Sequence, residues 1–285
     1  MRKQDLNSIE KTKKLIYHNY NKCQNKIHGD FKMKEYKIWR DEEKKTFNAQ
    51  THVDFSKCSK NGCMSFMEIL KFTSDMAGED FTYQGISRKV LNDAGFAMLV
   101  SRVSFKIINA PKENQDITLI TWEEKPEPLQ FLRAYQLRDT QTDELLVDGL
   151  SSWLLVDFKE HKILPCKKFN LKPLSEFTGE HQCMKPSKIK PCDNMQKIGE
   201  RKIMYSDLDC YGHTNNAKYI NFVFDALPLE YSEKKFTDFK LNYSKEAKLN
   251  EVIELDAAFN DEKKIITVIG KKESEVSFEC ELYYE

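Results

Sequence analysis

Ser206-Asp207-Leu208-Asp209-Cys210-Tyr211-Gly212-His213-Thr214-Asn215-Asn216-Ala217-Lys218-Tyr219 sets a glycine, two aspartates, a histidine and two asparagines directly before an apolar helical pattern. Ile220, Val223, Phe224 and Leu227 recur at helical spacing after it, and Pro228 ends the run because its ring blocks helix continuation. The segment therefore reads as a polar turn feeding a helix, with Thr214 or Asn215 as the cap of the first turn. Unpaired amides at a helix start, with the helix dipole behind them, favour an oxyanion. Asp209 and His213 share the turn, where a carboxylate can orient or charge an imidazole. The same residues are equally compatible with plain capping and a surface histidine. If they act, they supply the parts that acyl transfer needs: a group to activate water and an electrophilic pocket. No G-x-S-x-G occurs, and no serine or cysteine has evident Asp/His support, so Cys210 reads as a bystander.

The same order of elements stands upstream at a constant offset. Subtracting 150 pairs Ser206 with Ser56, Gly212 with Gly62, Phe222 with Phe72 and Asp225 with Asp75, and sets Tyr205 over Phe55. Phe66, Ile69, Leu70, Thr73 and Ala77 then form a helical face in phase with the downstream one. The chain thus reads as a duplicated unit. The difference between the copies is chemical: Ser59 and Cys63 occupy the positions of Asp209 and His213.

Around these turns lie strand patterns. Tyr36–Trp39, Thr51–Phe55, Leu99–Ile107, Ile117–Trp122, Phe131–Arg138 and Leu145–Val156 belong to the first copy, with a turn at Asp139–Asp143. Lys202–Tyr205 opens the second copy. Residues 171–195 hold Pro173, Pro186 and Pro191 among lysines and small polar residues and read as a linker. Residues 1–30 are polar and without period, an N-terminal extension. A helix followed by a run of antiparallel strands, twice over, predicts an α+β fold.

Composition excludes several classes. The 285 residues are 40% hydrophobic, enough for a core, and 45 basic residues cancel 45 acidic ones, unlike a nucleic-acid binder. No apolar run approaches the roughly 20 residues of a membrane span. The first residues lack a secretory apolar stretch. Eight cysteines without CxxC pairs suggest neither zinc nor a disulfide framework, so a cytoplasmic location is expected.

The segment 206–219 resembles the signature of the plant-type acyl-acyl-carrier-protein thioesterases, roughly S-D-L-D-x-N-x-H-x-N-N-x-x-Y. Leu99-Val100-Ser101-Arg102-Val103, Thr121-Trp122, Leu137-Arg138-Asp139, Thr142-Asp143-Glu144 and Ser152-Trp153-Leu154 match its N-terminal half in order. Tyr243-Ser244-Lys245-Glu246 stands at the family's Y-R-R-E. The resemblance runs from about residue 35 to the C-terminus. It implies two tandem hotdog units, each an antiparallel sheet wrapped around one long helix. The N-terminal hotdog, residues 31–170, would hold the acyl chamber, and the C-terminal hotdog, 196–285, would be catalytic.

By position, the resemblance assigns catalysis to Asp209, His213 and Glu246. Glu246, with Asp209, would activate water while His213 orients the network. Asn215 and Asn216 would meet the substrate; Met64, Met67 and Met76, on the first helix, read by themselves as ordinary core, but the resemblance implies that they line the chamber, since methionine suits an irregular apolar cavity. Tyr211 replaces the family's asparagine; its hydroxyl either substitutes for the amide or its ring packs. Ala247 replaces the family's cysteine, which favours attack by water. The implied reaction is hydrolysis of a fatty acyl-carrier-protein thioester to the free acid, with no metal or organic cofactor. The implied partner is acyl-carrier protein, with no nucleic acid and no membrane span, and a homodimer is compatible. Alternatives are an acyl-coenzyme A thioesterase of the same fold, a non-catalytic acyl-thioester binding protein and a hotdog dehydratase.

Overall fold

The computed structural model describes residues 36–285; the polar extension at 1–30 lies outside the described residues. The first half contains β1 (Ile38–Asp41), β2 (Thr46–His52), α1 (Phe66–Tyr83), α2 (Arg88–Asp93), β3 (Phe96–Ile107), β4 (Asp116–Glu123), β5 (Phe131–Asp139), β6 (Leu145–Asp157) and β7 (Ile163–Leu164). The second contains β8 (Gln196–Lys202), α3 (Tyr219–Ala226), α4 (Leu229–Ser232), β9 (Phe236–Tyr243), β10 (Val252–Asn260), β11 (Ile265–Lys272) and β12 (Glu275–Tyr284). All these strands join one antiparallel sheet, in the order β1-β2-β4-β5-β6-β3-β9-β12-β11-β10-β8, with β7 beside β6.

That order is the duplication made visible. β2-β4-β5-β6-β3 and β8-β10-β11-β12-β9 repeat one connectivity, and the halves meet where Arg102–Lys106 of β3 pairs with Asp238–Asn242 of β9. The offset of 150 holds at the turns. Gly62 and Gly212 both sit at positive φ, +73° and +79°. Cys58 bridges Met64 as Leu208 bridges Thr214. Ser59 N–H donates to the Cys63 carbonyl at 2.8 Å, and Asp209 N–H to that of His213 at 2.7 Å. Two turns with the same backbone bonds therefore carry different side chains.

The two helices diverge in length. α1 has 18 residues, opened by Ser65, whose side chain accepts from Glu68 N–H, and faces the sheet with Ile69, Leu70, Thr73 and Ala77. α3 has only 8 residues, less than half the length of its counterpart. A 3-10 turn, Asn216–Lys218, takes up its start, and Pro228 forbids extension past Leu227. α1 rests on β2 and β4, α3 on β8 and β12. Phe239 of β9 is stacked between Phe66 of α1 and Phe105 of β3, at ring distances of 4.6 and 5.2 Å, so one core runs through both halves.

Three boundaries differ from the sequence patterns. Val53–Phe55 leaves the strand and turns, and Lys202 is the last residue of β8, with Ile203–Tyr205 beyond it. Met64 precedes α1 rather than lying on it. In each case the alternating pattern continues into a bridge or turn whose backbone bonds differ from a ladder. Residues 171–195 hold no regular element, but they are strapped to the outer face of the first half. Gln182 and Cys183 N–H donate to Asp148, Gly179 N–H donates to Glu124, and His181 stacks on Trp122.

Candidate active site

The polar turn is built by Asp209. Its Oδ1 accepts the N–H of Tyr211 at 2.8 Å and of His213 at 3.1 Å, while Gly212 supplies the left-handed backbone that closes the loop. Asp209 Oδ1 is thus engaged by the backbone, and the carboxylate beside the imidazole is another one. Glu246 Oε2 lies 3.2 Å from His213 Nδ1. The two are brought together by long-range bonds: Thr214 N–H and Thr214 Oγ1 both donate to the Ala247 carbonyl at 2.8 Å, and His213 bridges Lys248. Tyr219 of α3 adds its hydroxyl to Ala247 N–H at 3.2 Å, so the residue after Glu246 is fixed on both sides.

Asn215 is the cap. Its Oδ1 accepts Ala217 N–H at 2.9 Å and its carbonyl accepts Lys218 N–H at 2.8 Å. Asn216 opens the 3-10 turn between them, so Thr214 serves as a staple to the other strand rather than as a cap. Tyr211 is 60% exposed and faces the first half: Arg88 of α2 lies over its ring at 5.4 Å and reaches its hydroxyl at 3.4 Å. The same guanidinium approaches Cys210 Sγ at 3.5 Å. The family's asparagine position is here a strut between halves.

A cavity of about 110 Å³ is bordered by Asn215, Asn216 and Ala217. Its other lining comes from α1, with Leu70 and Thr73 beside the charged Lys71 and Asp75, from Val103 and Phe105 of β3, and from Tyr135, Ser151 and Trp153 of β5 and β6. The three methionines expected in a chamber wall stand apart from this cavity. Met64 is buried in the core, Met67 Sδ takes a hydrogen bond from Asn221 of α3 at 3.0 Å, and Met76 packs on the core; none borders the cavity. The residues that do border it from β5 and β6 escaped sequence reasoning. Their signal was available in the strand alternation, which sets Tyr135 and Ser151, Trp153 on the helix-facing side.

A duplicated sheet around helices, an imidazole–carboxylate pair at one helix start and a cavity leaving that point are the marks of a double hotdog thioester hydrolase. Two family models match the chain: the acyl-ACP (acyl-carrier-protein) thioesterase N-terminal domain over residues 44–171 and the C-terminal domain over 192–283. The chain belongs to the acyl-ACP thioesterase family, enzymes that hydrolyse fatty acyl-ACP thioesters. Among solved structures it is similar to an acyl-ACP thioesterase from Bacteroides thetaiotaomicron VPI-5482, with 22% identity and a TM-score of 0.77 over 86% of this chain and 100% of that one. It is also similar to a 12:0-ACP thioesterase from Umbellularia californica, with 14% identity and a TM-score of 0.71 over 84% and 97%. A putative oleoyl thioesterase from Lactobacillus plantarum gives 15% and 0.70 over 83% and 94%. These likenesses show the fold. No curated protein matches the chain in sequence.

Proposed function

We propose that His213 and Glu246 together form the base that activates water against the thioester carbonyl, with the carrier protein delivering the acyl group. The observation that carries this is the 3.2 Å approach of Glu246 Oε2 to His213 Nδ1. A carboxylate beside Nδ1 favours the proton there and leaves the Nε2 lone pair to take a proton from water. Hydroxide then adds to the carbonyl carbon. The oxyanion finds its donor in the Asn216 N–H, at the head of the 3-10 turn, since the next two amides are already taken by Asn215. Collapse breaks the C–S bond, the leaving thiolate takes the proton from the imidazolium, and a fatty acid and a free thiol result. Asp209 is a positioning residue in this scheme: it fixes the turn that aims His213. Tyr211 holds the turn against the first half.

In this reading residues 31–170 supply most of the acyl chamber, 196–285 the chemistry and the chamber wall at Asn215–Ala217, and 171–195 the strap between them. No helix among the described residues is long and apolar enough to cross a membrane. A cytoplasmic location is supported by the free thiols of the described cysteines. Matched acyl-carrier-protein and acyl-coenzyme A thioesters, given to wild type and His213→Ala, test the reading. Faster turnover on the carrier protein and its loss in a folded His213→Ala protein are expected. Equal rates on both carriers refute the carrier assignment; an active His213→Ala variant refutes the base.

A further inference from the structure

We infer that the acyl chamber ends at the hydrogen-bonded cluster Tyr135–Ser151–Trp153 and that the enzyme therefore prefers chains of about eight carbons or fewer; this rests on the proposed function. The cavity gives the first measure. A dry cavity of about 150 Å³ accommodates a six-carbon ring. The 110 Å³ here is therefore room for roughly four carbons.

Strand register gives an independent one. Leu241 of β9, Val103 of β3, Ser151 of β6 and Arg133 of β5 pair directly in one row across the sheet. Neighbouring strands are about 4.8 Å apart, so a chain lying across them from β9 meets β6 after about 10 Å. An extended chain of 1.52 Å bonds advances roughly 1.3 Å per carbon, which makes that distance seven or eight carbons. Both measures stay at or below about eight carbons.

The floor is rigid. Trp153 Nε1 donates to Ser151 Oγ at 2.7 Å, and Tyr135 Oη shares a hydrogen bond with the same oxygen at 2.9 Å. One step further along the row, buried Arg133 is held by Asp80 of α1 and donates to Thr121 Oγ1 at 3.0 Å. Asp80 is also paired with Arg40, and Glu123 with Lys172. A chain pushed past Ser151 would have to break these bonds and lay methylenes against a buried guanidinium, which an apolar tail cannot satisfy. Flexible methionines would have yielded; this cluster does not.

The experiment is kcat/KM on one carrier protein over a butyryl-to-palmitoyl series, for wild type, Trp153→Ala and Val103→Phe. Wild type should peak at octanoyl or shorter. Beyond the peak each excluded carbon draws a methylene out of the chamber, a loss of about fourfold per carbon. Trp153→Ala removes the floor and should move the peak roughly two to four carbons longer. Val103→Phe fills the middle of the cavity and should move it shorter, so the proposal does not depend on one variant folding. A wild-type peak at dodecanoyl or longer, or a profile that neither folded variant moves, overturns the inference. The rise in Tm with free carboxylic acids of the same lengths is a second readout. Should no thioester be hydrolysed while short acids still stabilise the protein and long ones do not, the hydrolase reading fails and the chamber stands.

Discussion

Replacing Glu246 by glutamine separates catalysis from stability. The side chains of His213 and Glu246 are 32% and 54% exposed, so their contact is an ion pair largely in water. Such pairs contribute at most about 1 kcal/mol, and in a protein of this size that is worth roughly 2–4 °C in Tm. Glutamine keeps the length and shape, and the backbone around Ala247 is held by Thr214 and Tyr219 rather than by the Glu246 side chain. The fold should therefore survive with Tm within about 4 °C of wild type. Turnover should not. An amide beside Nδ1 neither stabilises the imidazolium nor fixes the tautomer, and losing such support lowers kcat by about 10²–10⁴. That is about 3–5 kcal/mol of transition-state stabilisation, several times what the same contact gives the fold. The assay is steady-state release of free thiol from an acyl thioester, with thermal denaturation in the same buffer. KM should stay close to wild type, because the lost interaction is made in the transition state. A kcat within about tenfold of wild type, at unchanged Tm, refutes the base, since it falls below the smallest expected general-base effect. A Tm lowered by more than about 5 °C shows instead that Glu246 is structural.

Asp80→Asn leaves Arg40 and Arg133 facing a neutral amide in the interior and should cost about 3–5 kcal/mol, a fall of roughly 10 °C in thermal denaturation; a shift under about 3 °C contradicts the network. His181 lies between Asp148, 3.9 Å from its Nδ1, and Glu124, hydrogen-bonded to its Nε2 at 3.1 Å, and these carboxylates, Asp148 first, raise its pKa against the opposing effect of burial. Protonated His181 therefore stabilises the strap fully below the unfolded value near 6.5, and that stability is lost as pH climbs through the raised folded value. Tm should fall as pH rises above about 6.5, and His181→Gln should flatten that fall; parallel curves for the two proteins contradict it. Met67→Trp overpacks the contact between α1 and Asn221 of α3 and should cost about 1–3 kcal/mol while leaving the chain-length profile in place; a shifted profile puts Met67 in the chamber.

The turn at 206–219 was legible in the sequence because everything that shapes it is local. Gly212 for the left-handed residue, Asp209 for its amides and Asn215 for the helix start act within a few residues of one another, and the offset of 150 repeats the turn's backbone bonds at 56–65. Strand alternation and helical period likewise follow from neighbours in the chain. What no local pattern held was which carboxylate meets the imidazole. Asp209 is four residues from His213 and Glu246 is thirty-three, yet only Glu246 comes within an ion-pair distance, because pairing of Thr214 with Ala247 folds one loop onto the other. The cavity was decided in the same way. Its lining comes from α1, β3, β5, β6 and the turn Asn215–Ala217, so methionines close in sequence to the right helix stand outside it, while Tyr135, Ser151 and Trp153 border it. Short-range geometry is fixed by backbone conformation and hydrogen bonds along the chain; a cavity is what packing leaves between elements, and it exists only once β3 has paired with β9 and both helices have settled on one core.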